Sequence, residues 1–213
     1  MTSSSTFDAA FREKLAALIA WRRDVRRFRA TPAPEAMLDE LLDLVQLSPS
    51  VGDSQPWRWV RVESAGKRAE VRTNFQDCNA RAQAEYPDAH ADAYAALRLE
   101  GLNKAPLQLA VFCDRETVQG HGLGQRTMPE TVEYSTTNMI ATFWLVARAA
   151  GLGVGWVSIL DPERVKRNLG VPPAWKFIAY LCVGWPEEQH LDPELERFGW
   201  QPRTEAGRQV KIA

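Results

Sequence analysis

Three guanidiniums and one carboxylate fall within five consecutive residues, Arg22-Arg23-Asp24-Val25-Arg26. Arginine presents a fork of N–H donors that matches phosphate oxygens, so this run could clamp a phosphorylated ligand. The same residues could equally form a solvated basic face, with Asp24 as an ion-pair partner and nothing more. A second polar stretch, Ser48-Pro49-Ser50-Val51-Gly52-Asp53-Ser54-Gln55-Pro56-Trp57, offers hydroxyls, an amide and backbone N–H groups suited to a planar polar ligand, or makes an ordinary turn. Gly151-Leu152-Gly153-Val154-Gly155-Trp156 has the glycine density of a dinucleotide fingerprint. That fingerprint follows a strand and opens a helix, whereas this run closes a helix and opens a strand, so its glycines read as close backbone approaches. Gly120-His121-Gly122-Leu123-Gly124 also lacks the fingerprint spacing. His90, His121 and His190 have no metal-ligand spacing. Ser158 lies in an apolar stretch with no triad motif around it, and on the residues alone it reads as a buried hydroxyl bonded to backbone.

The elements that must position these groups follow from periodicity. Phe11, Leu15, Leu18 and Ile19 recur at helical spacing between Phe7 and Trp21, so the first helix delivers the arginine cluster at its end. Met37, Leu38, Leu41, Leu42 and Val45 predict a second helix, stopped at Ser48-Pro49. Trp57 to Val62 alternates as a half-buried strand does, and Ala65 to about Glu85 is a polar helix closed by Pro87. Asp88 to Lys104 is a weakly amphipathic helix leading into the strand Leu107 to Cys113. Residues 114 to 130 form a long glycine-bearing loop, expected near the site. Thr131 to Ala150 is the most apolar helix, ended by Gly151, and Val154 to Leu160 is a buried strand. Asp161-Pro162-Glu163 starts a short helix that Gly170 ends, and Phe177 to Val183 is the last core strand. After Pro186 the chain stays polar, as a tail that wraps a partner would. Strands and helices mix without regular βαβ alternation, so the fold class is α+β, and 213 residues suit a single domain, 1–213.

With 26 basic and 27 acidic side chains the formal net charge is −1, which argues against nucleic acid and anionic membrane as partners and makes any anion site local. The three cysteines, Cys78, Cys113 and Cys182, form no CxxC pair and read as reduced thiols. Met1 to Phe7 has no apolar leader core, and no stretch reaches the roughly 18 apolar residues of a membrane span, so the expectation is a cytoplasmic protein.

RRDVRRF at 22–28, SPSVGDSQPW at 48–57 and ATFWLVARAAGLGVGWVSIL at 141–160 together resemble the nitroreductase superfamily and, within it, its 5,6-dimethylbenzimidazole synthase branch. RLEGLNKAPLQLAVFCD at 98–114, QRTMPETVEYS at 125–135 and DPELERFGWQPR at 192–203 extend the resemblance over nearly the whole chain. It implies a central mixed, mostly antiparallel sheet flanked by helices, and a homodimer with FMN at the subunit interface. It further implies a lid near residues 75–105 and a tail, 186–213, that embraces the neighbour. On the same resemblance Arg22, Arg23 and Arg26 hold the flavin's phosphate and ribityl chain with help from Arg203. Ser50 and Gln55 bond the ring system and its chain, Gly155 and Trp156 approach the isoalloxazine, and Val25 and Leu99 complete the lining. Asp24, where ordinary nitroreductases commonly carry serine, and Ser158 mark the branch, while Glu133 stands where many relatives have aspartate. The implied reaction is oxygen-dependent fragmentation of FMNH2, delivered by a separate flavin reductase and consumed as substrate. It yields 5,6-dimethylbenzimidazole, the lower ligand of vitamin B12, and releases erythrose 4-phosphate. Asp24 would act as acid/base, starting ionised among three arginines, and Ser158 would position the ligand. The rival readings are an NAD(P)H-dependent FMN nitroreductase or flavin reductase, and a flavin-storage protein without chemistry.

Overall fold

The computed structural model describes residues 6–86, 94 and 101–211. Its centre is set by the helix predicted to be most apolar, here α4 (Thr131–Ala149), in which Val132, Thr136, Ile140, Phe143 and Ala147 recur every three to four residues and are buried. The helices before it are α1 (Ala9–Trp21), α2 (Glu35–Val45) and α3 (Ala65–Glu85), and α5 (Pro162–Leu169) follows. The four strands are β1 (Trp57–Arg61), β2 (Leu107–Asp114), β3 (Gly153–Val157) and β4 (Trp175–Gly184), in the spatial order β1-β2-β4-β3.

Strand alternation sends two sets of side chains to opposite faces. Leu109 and Val111 of β2, with Ala179, Leu181 and Val183 of β4, meet Leu38, Leu41 and Val45 of α2 and the apolar stripe of α4. Ala110, Phe112, Tyr180 and Cys182 point the other way, into a cluster with Val71 of α3, Val165 of α5 and Phe28. β2 is covered on both faces, so all six residues from Gln108 to Cys113 are buried. The class is thus α+β, as expected. β1–β2, β2–β4 and β3–β4 all pair antiparallel. Among the described residues the parallel component of a mixed sheet is reduced to one isolated bridge, Asp24 to Val154.

Most element ends fall where the sequence places them: Asp161 caps α5 by accepting from Arg164 N–H at 3.0 Å, and Gly170 closes it in the left-handed region. One end differs. β3 stops at Val157 instead of running to Leu160, and Ser158 is exposed, not buried in a strand. The reason is Asn74 on α3, fully buried, whose side chain accepts from Asp161 N–H at 2.9 Å and donates to Asp161 C=O at 3.0 Å. That pair of bonds draws the chain off the sheet just after Ser158. Of the helix predicted over Asp88 to Lys104, Gly101–Lys104 is helical; the rest, apart from Tyr94, lies outside the described residues, as do Leu99, His90 and the central part of the expected lid. None of the residues of α1 is buried, and its apolar Phe11, Leu15 and Ile19 are exposed.

Candidate active site

The arginine run is laid down as an extended strip directly after α1. Arg22 caps α1, its N–H reaching Leu18 C=O at 2.9 Å, and Val25 N–H then donates to Val154 C=O of β3 at 3.1 Å. Phe28, fully buried, plugs the strip into the core behind the sheet, and Arg29 N–H donates to Trp185 C=O at 2.8 Å. Close approach to β3 is possible because β3 carries glycine where the strip crosses it. A Cβ on Gly155 would stand 2.2 Å from the Val25 carbonyl oxygen, and one on Gly153 would lie 2.7 Å from the Val25 side chain. The glycines of this run therefore serve contact between backbones, as their place at the start of a strand predicted.

That contact aims Asp24 at β3. Its Oδ1 accepts from Trp156 N–H at 3.0 Å, and its Oδ2 faces Arg26 Nε at 3.4 Å. The expectation that the arginines favour the ionised carboxylate is reversed: burial raises the Asp24 pKa, outweighing the Trp156 N–H and Arg26, which lower it. Although about a third of the side-chain surface stays open (35%), the carboxyl is surrounded by protein on its other sides, with the buried Cys182 thiol close behind it. Only one of the three clamp arginines reaches the carboxylate. Arg23 donates instead to Leu191 C=O at 2.6 Å and to Arg22 C=O at 2.7 Å, while the Arg22 guanidinium lies over the Trp144 ring at 4.9 Å. Burial, then the charges of Arg203 and Arg22, lower the Arg23 pKa, so Arg203 does join the cationic cluster.

The beginning of the polar tail covers this cleft from its own chain. Arg27 pairs with Glu188, and Glu194 lies 3.7 Å from Arg26 and 3.5 Å from Arg27. Residues 201–211 are exposed throughout. The tail expected to embrace a neighbour thus begins as a cover on its own arginines, because these supply the counter-charges its acids need.

Ser50 and Gln55 belong to a different place. Ser50 Oγ accepts from Gln55 N–H at 3.1 Å, and Val51 N–H donates to Ser135 Oγ at 3.0 Å, which ties this loop to the first turns of α4. The glycine-bearing loop after β2 closes on it, since a Cβ on Gly120 would come within 2.6 Å of Gly52 C=O. Arg148, which lines the arginine cleft, is thirteen residues farther along α4. At 1.5 Å per residue the two sets are separated by roughly 20 Å within one chain. The structure therefore unites Arg22, Arg23, Asp24, Val25, Arg26, Gly155 and Trp156, with Arg203 nearby and Ser158 at the exposed end of β3, and leaves Ser50 and Gln55 apart.

Sequence reasoning missed Trp21, Trp144 and Arg148, which pack around the clamp: Arg148 stacks on Trp21 at 3.5 Å, and Trp144 and Trp156 rings lie 6.4 Å apart. The one available signal was the i, i+4 spacing of Trp144 and Arg148 on α4. Among the described residues no group of three or more His, Cys, Asp or Glu could hold a metal ion, and no helix is long and apolar enough to cross a membrane.

Residues 19–185 match the nitroreductase family model. The 5,6-dimethylbenzimidazole synthase of Rhodospirillum rubrum is 58% identical over 203 residues, covering 95% of this chain and 96% of that protein. A protein of the same name from Rhodobacter capsulatus is 49% identical over 195 residues, covering 92% and 94%. Among solved structures, oxidized iodotyrosine deiodinase bound to FMN and 3-iodo-L-tyrosine has a TM-score of 0.73 at 21% identity, over 93% of this chain and 97% of that one. A nitroreductase-like protein from Streptococcus mutans has a TM-score of 0.70 at 17% identity, over 95% and 100%, and both likenesses are of fold. The sheet order, the arginine strip docked on β3 and these matches lead to one conclusion: the chain belongs to the nitroreductase family, alongside its 5,6-dimethylbenzimidazole synthases.

Proposed function

We propose that the protein is a 5,6-dimethylbenzimidazole synthase that takes reduced FMN and oxygen as substrates. The observation that carries this reading is a carboxylate, Asp24, set among the arginines of the clamp and bonded to the Trp156 N–H of β3. The residues fit a flavin mononucleotide. Arg26 Nη1 is buried with no hydrogen-bond partner among the described residues, and β3 offers a flat glycine-bearing strand beside the clamp. Arg22, Arg23 and Arg26 bind the phosphate and the chain leading to it, with Arg203 adding charge. Gly155 and Trp156 present backbone to the ring. When bound, reduced FMN supplies the electrons that oxygen takes up and the carbon skeleton that becomes 5,6-dimethylbenzimidazole and erythrose 4-phosphate.

Asp24 moves protons at the ribityl chain. Its raised pKa brings proton exchange closer to neutral pH than an ordinary carboxyl allows. Ser158, exposed at the end of β3, directs its hydroxyl to the same ligand and positions it. The segment 75–105, Leu99 included, acts as the lid, the tail beyond residue 200 reaches the partner subunit, and a separate flavin reductase supplies FMNH2. Loading the protein with FMNH2 under anaerobic conditions and then admitting air tests the reading by chromatography. 5,6-Dimethylbenzimidazole is expected in step with flavin loss; quantitative recovery of intact FMN would assign the chain to ordinary nitroreductase chemistry.

The complete site requires two subunits, since roughly 20 Å of α4 separates Ser50 and Gln55 from the clamp of the same chain. Members of the family are typically dimers, and the exposed apolar residues of α1 offer a surface for pairing. A complementation experiment reads this directly. Arg22→Met and Gln55→Ala proteins, each of low activity alone, should recover about a quarter of wild-type activity when unfolded, mixed and refolded, because half the dimers are mixed and each mixed dimer has one intact site. No recovery in refolded dimers would mean that each chain builds its site alone.

A further inference from the structure

Arg148 on α4 is 3% exposed. Its guanidinium carbon lies 3.5 Å from the centre of the Trp21 ring, a contact that holds the plane of the group without neutralising it. Nε and Nη1 are buried with no hydrogen-bond partner among the described residues, and burial lowers the Arg148 pKa. The side chain lines the same cleft as Arg23, Asp24 and Arg26.

The acids lining that cleft are committed to other groups. Asp24 is bonded to Trp156 N–H and faces Arg26, Glu188 pairs with Arg27 and His190, Asp192 lies 3.4 Å from Arg197, and Glu194 serves Arg26 and Arg27. A buried guanidinium is ordinarily matched by an anion or by several carbonyls, because desolvating the charge is strongly unfavourable. Trp144 Nε1, one turn earlier on the same helix, is likewise a buried donor with no partner among the described residues. The cleft is therefore rich in donors from two directions, the strip after α1 and the last turns of α4.

We propose that Arg148 is a phosphate-binding residue of the flavin site, approaching from α4 the phosphate that the strip after α1 approaches from the other side, and so selecting FMN over riboflavin. The proposal rests on the flavin reading above and adds to it the residue that discriminates the phosphorylated ligand. Arg148 carries out no chemistry on the ring; it sets which flavin is held.

The test titrates wild type, Arg148→Met and Arg148→Lys with FMN and with riboflavin, and separately follows Tm against inorganic phosphate. Arg148→Met is expected to weaken FMN binding about ten-fold or more, as loss of a charge-assisted hydrogen bond does, while riboflavin affinity stays within about two-fold. Arg148→Lys keeps the charge but not the fork, and recovers part of the FMN affinity. Inorganic phosphate should raise the Tm of wild type by more than that of Arg148→Met. Equal losses for FMN and riboflavin, or an unchanged FMN affinity, would overturn the assignment and leave Arg148 as a prop for Trp21. If Arg148→Met fails to fold, the lysine variant decides: full FMN affinity and an undiminished preference for FMN over riboflavin would refute the proposal. Wild type that ignores FMN yet is stabilised by phosphate through Arg148 would defeat the flavin reading alone and leave the phosphate assignment standing.

Discussion

Asp24→Asn should lower 5,6-dimethylbenzimidazole formation by at least about a hundred-fold, the usual scale of a lost general acid/base, while FMN affinity changes little because the clamp arginines remain. Asparagine keeps an oxygen for the Trp156 N–H and removes the proton that Asp24 exchanges. A variant that binds FMNH2 and makes product at the wild-type rate would refute the role. The same substitution has a stability signature. Burial raises the Asp24 pKa, so the folded state holds the proton more tightly than the unfolded state does. The corresponding stability is fully present below the ordinary carboxyl value of about 4 and is lost as pH rises from there through the raised folded value. An asparagine at this position does not titrate and carries no such loss. Free of ligand, Asp24→Asn should therefore match the wild-type Tm near pH 4 and exceed it as pH rises toward the raised folded value, beyond which the difference levels off. A variant that matches wild type at low pH and becomes less stable than it as pH rises would mean that Arg26 and the Trp156 N–H, not burial, govern the carboxyl.

The reversal at Asp24 shows where reading the chain ends. Counting charges along RRDVR sets three arginines around one acid, but adjacency in sequence does not fix direction. In the fold Arg22 turns to Trp144 and Arg23 to Leu191 C=O, which leaves Arg26 as the carboxylate's partner. Desolvation, which decides the balance, is a property of packing. Ser158 makes the same point at the level of secondary structure. The apolar Ile159-Leu160 extends the pattern of a strand, and nothing nearby interrupts it. The interruption comes from Asn74, 87 residues away, through two hydrogen bonds to Asp161. Arg148 reads along the chain as a basic residue in the last turn of a helix, where it would complement the helix dipole from the surface. Its burial depends on Trp21 at the end of a different helix. What was legible was whatever local pattern fixes: the α4 stripe, the Asp161 cap, the apolar run of β2, and the glycines that let two backbones meet. The Ser50–Gln55 loop was legible as polar and small, but its distance from the clamp follows from α4 as a rigid spacer.

Gly155→Ala is expected to have the second large effect, and its cause is the meeting of two backbones. The added Cβ would stand 2.2 Å from the Val25 carbonyl oxygen, far inside contact distance. That oxygen cannot simply move aside, because Val25 is held through its N–H to Val154 C=O at 3.1 Å and the strip is pinned further on by buried Phe28. Nor can β3 retreat, since Gly155 pairs with Cys182 of β4 between Val154–Val183 and Trp156–Leu181. The strip must lift, which breaks the Val25–Val154 bond and draws Asp24 away from Trp156. Phe28 of the core would meet the added methyl at 3.7 Å, an ordinary contact, so the chain should still fold, with a loss of roughly 1–3 kcal/mol typical of an overpacked position. FMN affinity should fall by well over ten-fold, because clamp and strand no longer address one ligand. Gly207→Ala is the matched control: nothing lies within 4 Å of its added Cβ, and it should be neutral within about 0.5 kcal/mol. The two variants, compared by urea denaturation and FMN titration, separate a methyl group's general effect from its effect at the crossing. If Gly155→Ala bound FMN as the control does, the strip would not depend on β3 for its position, and the placement of Asp24 by Trp156 would lose its structural basis.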